Sequence, residues 1–216
     1  MAAKNEIKLD SLYAFKLGMS TVFNEAGEAV NVTLLRYEPL VVSEVKTKEK
    51  HGYEAVQVAF KPKKAGRASE AEKNRLKGAG FENGAYFCRE IRQSVPEGTM
   101  VGAHVGIDSL KTGDNVKVTA KSKGKGFQGV VRRYGFQGGP AAHGSKFHRQ
   151  PGSVGCREFP GRVMPGRRLP GHKGNVTKTT MNLCVVDVLS EDNILIVAGA
   201  VPGGRNNLVK LTKSRM

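Results

Sequence analysis

The sequence predicts a mainly β body, a barrel or a sandwich, interrupted by one long irregular insertion. Three observations carry this expectation. Short Val-rich runs separated by turns recur through the first 120 residues. Two apolar runs near the C-terminus, LCVVDVLS (183–190) and NILIVAGA (193–200), cannot stand alone and must complete a sheet begun upstream. Between the first 120 residues and these runs, residues 121–176 hold 13 of the 27 glycines and five of the nine prolines, with neither a helical nor an alternating apolar period. A chain of 216 residues can bury one good core, or a core plus an appendage.

In chain order, VNVTLLR (30–36) alternates and follows the turn NEAGEA, so it predicts a hairpin with MSTVF (19–23). LVVSEVK (40–46) and EAVQVAF (54–60) are further strands across a charged, glycine-containing connection. One short helix is expected over SEAEKNRLKGAG (69–80), where Ser69 and Glu72 form an S-x-x-E capping box and Gly78 or Gly80 ends it. TMVGAHVGI (99–107) and NVKVTA (115–120) return to strand character around the turn KTGD, and NLVKL (207–211) supplies a last strand. The predicted organisation is a discontinuous body, 1–120 with 177–216, and an extension, 121–176. No apolar run is long enough to span a bilayer. The N-terminal MAAKNEIKLDSLYAF lacks a secretory h-region and carries Glu6 and Asp10, so a cytoplasmic protein is expected.

Charge locates the function. The chain carries a net +16, but residues 1–114 hold 17 Lys/Arg against 15 Asp/Glu, and residues 187–216 hold four against three. Residues 115–186 hold 14 basic residues and a single acid, Glu158. Charge that served solubility would be spread; concentrated in one segment it is directed at a polyanion. The aromatics Phe127, Tyr134, Phe136, Phe147 and Phe159 are interleaved with these cations, which flexible linkers do not show.

Enzyme readings fail on context. GKGFQG (124–129) matches the GxGxxG of a dinucleotide turn and follows a strand. However, Gly135, Gly138, Gly139 and Pro140 limit any helix after it, and no acid lies between Asp114 and Glu158 to bind a ribose. GPAAHGSK (139–146) transposes the Ser and Lys of a phosphate-binding loop and lacks its flanking strand and helix. His143, His148 and His172 have no orienting acid but Glu158, and no carboxylate cluster could hold a catalytic divalent metal. Cys88, Cys156 and Cys184 form no CxxC, so neither a zinc site nor a disulfide framework is suggested; Cys88 and Cys184, among apolar neighbours, are expected as small buried hydrophobes. No cofactor, metal or small-molecule substrate is expected.

Glycine lets backbone N–H groups approach phosphates, Lys and Arg neutralise them, and aromatic and guanidinium planes stack on unpaired bases. With no helix or ribbon to enter a DNA major groove, folded RNA is the better target. Besides Lys121, Lys123 and Lys125, the cations expected on RNA include Arg157, Arg162, Arg167, Arg168, His172 and Lys173. An RNA-processing enzyme with a basic delivery arm, or a DNA-compacting protein, would share the charge but lacks respectively the nucleophile arrangement and the reason for the aromatics.

FKLGMSTVFNEAGEAVNVTLL, TAKSKGKGFQGVVRR, HGSKFHRQPGSVG, PGRVMPGRRLPGHKGNVT and VVDVLSEDNILIVAGAVPGG together resemble the bacterial type of the large-subunit ribosomal protein L-three family, over almost the whole chain and in the family's order. The resemblance implies a closed β-barrel like those of translation proteins. It implies a body that binds large-subunit (23S-type) rRNA near its 3′ region on the outside and meets neighbouring ribosomal proteins, a part in early assembly, an extension threading between rRNA helices toward the peptidyl-transferase centre, and no catalysis. By position, Lys123, Lys125, Gly126, Arg132 and Arg133 would hold rRNA at the root of the extension. His143, Lys146, His148 and Arg149 would line its path, and Ser153, Val154, Gly155 and Cys156 would form its tip; Lys16 would be a contact from the body. Two positions depart from the family pattern. Cys156 stands where some members carry a glutamine methylated on its amide, a modification a thiol cannot receive, and Lys117 stands where the pattern has Asp or Asn. Intact mass of the native protein is expected to show no methyl group on residue 156.

Overall fold

The Val-rich runs pair into strands whose alternation selects their buried faces in the computed structural model, which describes residues 6–214; the first five residues of the N-terminal stretch lie outside it. The elements are β1 (Glu6–Ile7), β2 (Ser11–Phe23), β3 (Ala29–Tyr37), β4 (Leu40–Lys46), α1 (Lys48–His51), β5 (Ala55–Pro62), α2 (Glu70–Leu76), β6 (Ala85–Ile91), β7 (His104–Val105), β8 (Asn115–Lys121), β9 (Phe127–Gln128), α3 (Val130–Tyr134), β10 (Gly171–His172), β11 (Thr177–Leu189), β12 (Ile194–Ala198) and β13 (Leu208–Lys213). They fall into two compact units. One holds the described residues through Lys121 and from Lys178 onward; the other is Ser122–Thr177.

In the first unit, six strands close a barrel in the order β11-β12-β3-β2-β13-β8. The hairpin β2–β3 is its longest ladder, turning through Asn24, whose side chain accepts from Glu28 N–H at 2.7 Å and donates to the Glu28 carboxylate at 2.9 Å. The two apolar C-terminal runs complete the sheet, β12 pairing with β3 and β11 with β12. Closure comes where Val185 N–H donates to Asp114 O at 2.9 Å and Gly113 N–H to Val185 O at 2.8 Å. Leu12, Leu35, Val116, Val118, Leu195, Val209 and Leu211 are fully buried with the rest of the core. Each such side chain stabilises the fold by roughly 1.5–3 kcal/mol before ordering costs.

A second, five-stranded sheet of order β1-β7-β4-β5-β6 shares this core. Tyr13 and Phe15 lie on the face of β2 opposite Leu12 and Ala14 and meet Phe60 of β5 and Phe87 of β6, with ring centroids 5.2–6.0 Å apart. β2 is therefore buried on both faces over Ser11–Phe15. That explains why SLYAF shows no alternation and why only MSTVF reads as a strand from sequence. Tyr37, at the end of β3, joins the two sheets: its hydroxyl donates to Val105 O of β7 and accepts from Leu40 N–H at 3.3 Å.

Several expectations need correction. The connection after β4 coils into α1, ended by Gly52 in the left-handed region, so α2 is not the only helix. α2 does start at the Ser69–Glu72 box, Ser69 Oγ accepting from Glu72 N–H at 3.4 Å, and a 3-10 turn carries it to Gly80. Of TMVGAHVGI only His104–Val105 is strand, because a turn closes from Ala103 N–H onto Met100 O and a 3-10 turn begins at Ile107. β6 carries no alternation that would predict a strand, since its YFCREI mixes charge with apolar residues. Cys88 is half-buried and Cys184 exposed, rather than buried, since β11 turns Val185 inward and its predecessor outward.

Burial pushes the Tyr37 hydroxyl up to about 12. A raised folded value stabilises the fold fully below the ordinary tyrosine value and loses that contribution as pH rises through the folded one. Tyr37→Phe leaves Val105 O and Leu40 N–H without this partner, and is expected to cost about 1–3 kcal/mol at neutral pH. It should also flatten the loss of stability between pH 10 and 12, as urea titrations across that range would show.

Candidate nucleic-acid interface

The second unit is held together by its two ends. Ser122 N–H donates to Val176 O at 2.9 Å, Lys125 N–H to Lys173 O at 2.8 Å, and Lys173 N–H to Gly126 O at 3.0 Å. β9 and β10 continue this pairing antiparallel, Phe127 opposite His172 and Gln128 opposite Gly171. The approach of the two ends depends on Gly174, which lies at φ +80° and where a β-carbon would overlap the Lys123 carbonyl. Lys123, Lys125, Gly126, His172 and the neighbouring Lys121 are all exposed.

GKGFQG is followed directly by a helix, α3, although only of five residues, and Gly135 ends it in the left-handed region. Val130 on α3 is the one buried side chain of the unit, at 1% exposure. Arg132 is exposed, whereas Arg133 is half-buried and donates to Leu169 O at 2.6 Å. Lys173 is half-buried too, its ammonium on Arg132 O. These two predicted contacts therefore spend donors on their own backbone, and Arg133 keeps the rest of its five-donor fork. Arg133 and Arg168 lie 4.9 and 5.8 Å from the Tyr134 ring, an aromatic platform that sequence reading did not connect to Arg168.

Beyond α3, Gly139 N–H donates to His148 O at 2.7 Å, and a β-carbon at Gly138 would overlap that same carbonyl. His143, Lys146, His148 and Arg149 are exposed along this stretch, as are Arg157, Arg162, Arg167 and Arg168. Ser153, Val154, Gly155 and Cys156 are exposed as well. Arg167 donates to Ser153 O at 2.6 Å, and Ser153 and Val154 join Phe136, Pro151, Gly166, Arg167 and Arg168 around a cavity of about 350 Å³. Phe127 and Phe159 are 67% and 88% exposed. Lys16 lies in the first unit, where its ammonium donates to Val201 O at 2.6 Å.

The electrostatics are one-sided. Ser122–Thr177 carries eleven Lys/Arg and only Glu158, which is exposed, and none of the ion pairs among the described residues involves this unit. Among the described residues no three His, Cys, Asp or Glu side chains come together to hold a metal, and no helix is long and apolar enough to cross a membrane. The arrangement offers exposed cations, glycine-rich backbone and aromatic faces, with no nucleophile set against a base.

The family model for Ribosomal protein L3 matches residues 100–193. "Large ribosomal subunit protein uL3" of Bdellovibrio bacteriovorus is 61% identical over 96% of this chain and 94% of its own. The chain belongs to the ribosomal protein L3 family. Proteins of the same name from Desulfotalea psychrophila and Oceanobacillus iheyensis are 45% and 44% identical, over 90% and 92% of this chain and 93% and 94% of theirs. Members of the ribosomal protein L3 family are structural ribosomal proteins, and the chain is not an enzyme.

Replacing Gly174 with Ala should part the root pairs while leaving the barrel intact. Amide hydrogen exchange is expected to quicken at Lys125 and Lys173, whose N–H groups bridge the two ends, with Val185 and the other barrel amides unchanged.

Proposed function

We propose that this L3-family protein is a structural constituent of the large ribosomal subunit, and that Ser122–Thr177 is the arm by which it grips folded rRNA. The observation that carries the reading is a unit with eleven Lys/Arg, one acid and one buried side chain. Ordering a residue's backbone costs roughly 1–2 kcal/mol, and one buried valine cannot offset that for the whole segment. Phosphates packed among the cations can, by charge neutralisation and counterion release. Lys121, Lys123, Lys125, Gly126 and Arg132 act at the root; His143, Lys146, His148 and Arg149 act along the arm with Arg157, Arg162, Arg167, Arg168 and His172. Arg133 and Lys173 chiefly hold the arm's own backbone, and Lys16 serves the body.

The target is large-subunit rRNA near its 3′ region, engaged early in assembly, with the loop Ser153–Cys156 directed toward the peptidyl-transferase centre. Exposed Phe127 and Phe159 and the Arg-flanked Tyr134 favour unpaired bases over duplex DNA. The barrel body meets neighbouring ribosomal proteins. The protein works in the cytoplasm, where bacterial ribosomes lie.

Sedimentation of a lysate from the native source tests this. The chain should co-migrate with the large subunit and stay there through a high-salt wash; a pool that washes off at moderate salt contradicts the reading. With transcribed large-subunit rRNA, changing Lys123, Lys125 and Arg132 to Gln should make the plot of log affinity against log salt shallower by about 2–3. An unchanged slope would remove the root from the interface.

A further inference from the structure

Asn83 and Gly84 form the chain's single Asn-Gly step; every other asparagine precedes a residue with a side chain. The distinction is chemical. A backbone nitrogen can attack the carboxamide of the asparagine before it, and a glycine has no β-carbon to block that approach. The N–Cγ bond forms as the glycine N–H gives up its proton and ammonia leaves, which closes a five-membered succinimide. Water then opens the ring at either carbonyl. The products are aspartate or isoaspartate, and in the second the main chain runs through the side-chain methylene. The net change is asparagine plus water to acid plus ammonia, with no oxidant or reductant.

The fold holds this step in a form that resists the reaction. Phe81–Gly84 is a tight turn in which Gly84 N–H donates to Phe81 O at 3.1 Å, so the nitrogen that must lose its proton is held by an acceptor. Closing the ring demands rotation about the Asn83 Cα–C bond, which this hydrogen bond opposes. Gly84 O in turn accepts from Lys63 N–H at 3.0 Å. Gly84 is buried at φ +70°, and a β-carbon built there would lie 3.2 Å from Ala68 Cβ and 3.7 Å from Glu72 Cβ. The turn is therefore packed against the start of α2, which Ser69 caps and the Lys63–Glu72 pair, at 2.8 Å, ties down. At the other end of α2, Phe81 N–H donates to Leu76 O at 3.2 Å. Phe81 packs on a small cluster, Ala59, Leu76 and Ala85, that is separate from the main core. The helix and the turn can thus open together while the barrel stays closed.

We propose that Asn83 is a site of covalent self-modification, deamidated through a succinimide when α2 releases the turn. The sequence makes the step reactive, and the packing of α2 sets its rate. Isoaspartate adds a methylene to the main chain where Ala68 and Glu72 leave little room, and either product adds a carboxylate beside Glu82. Both changes hinder α2 from packing back, so the product marks a chain whose α2 has opened. The site stands apart from the function proposed above.

Ageing of the full chain in mildly alkaline buffer tests the proposal. Peptide mass spectrometry locates each amide-to-acid change, and chromatography separates aspartate from isoaspartate. In urea, Asn83 should convert before any other asparagine, with isoaspartate the larger product. In the folded chain it should convert at least several-fold more slowly. Ser69→Ala, which removes the cap, and Lys63→Met, which removes the ion pair, should each recover part of that difference, although neither alters a reacting residue. Exchange at Val185 N–H should be the same in both variants as in the unaltered chain, as it must be if the barrel stays closed. Earlier conversion at another asparagine in urea overturns the site. Equal rates at Asn83 in the folded and unfolded chain overturn its protection by the turn. Rates in both variants equal to that of the unaltered chain overturn the role of α2.

Discussion

Repulsion among eleven like charges that one acid, Glu158, cannot balance governs the charged segment of this protein. In Ser122–Thr177 it acts on a segment with a single buried side chain, Val130, so neither a core nor an ion-pair network opposes it. What the segment does possess is a zipped root, where Gly174 lets two backbones meet, and short local contacts such as Arg133 on Leu169 O and Arg167 on Ser153 O. These contacts set the local path of the chain. They do not neutralise charge, and a dense polyanion does.

The barrel solves the opposite problem. Its strands bury apolar side chains on the inside, and β2 also buries Tyr13 and Phe15 against Phe60 and Phe87, so one core serves two sheets. Tyr37 fixes their junction with a hydroxyl bonded on both sides. In sequence the charged segment runs from the end of β8 to the start of β11, the strands whose pairing closes the barrel.

What could be read from the residues follows the same division. Strands with one buried face declared themselves by alternation, as VNVTLLR and NVKVTA did, and the Ser69–Glu72 box placed α2. Strands buried on both faces or carrying charge did not: SLYAF lacks a period, and YFCREI hides β6. The charge and glycine content of the insertion pointed to RNA, while its internal order did not show. The pairing of Lys125 with Lys173 and the Tyr134–Arg168 contact join residues far apart in sequence with no periodic signal. Family resemblance gave Arg133 a place at the root and the charge of the segment gave Lys173 one, but no sequence signal showed that both side chains also donate to backbone carbonyls within the unit.

The dependence of the arm on RNA is tested most directly by hydrogen exchange over residues 136–168, measured on the free protein and again with transcribed large-subunit rRNA. Few buried contacts mean low local stability. These amides should therefore exchange rapidly in the free protein, while the barrel stays protected, and slow by at least tenfold when rRNA is bound. Protection in the free protein equal to that of the barrel, unchanged by rRNA, would show that the segment folds on its own and would contradict the dependence on phosphate.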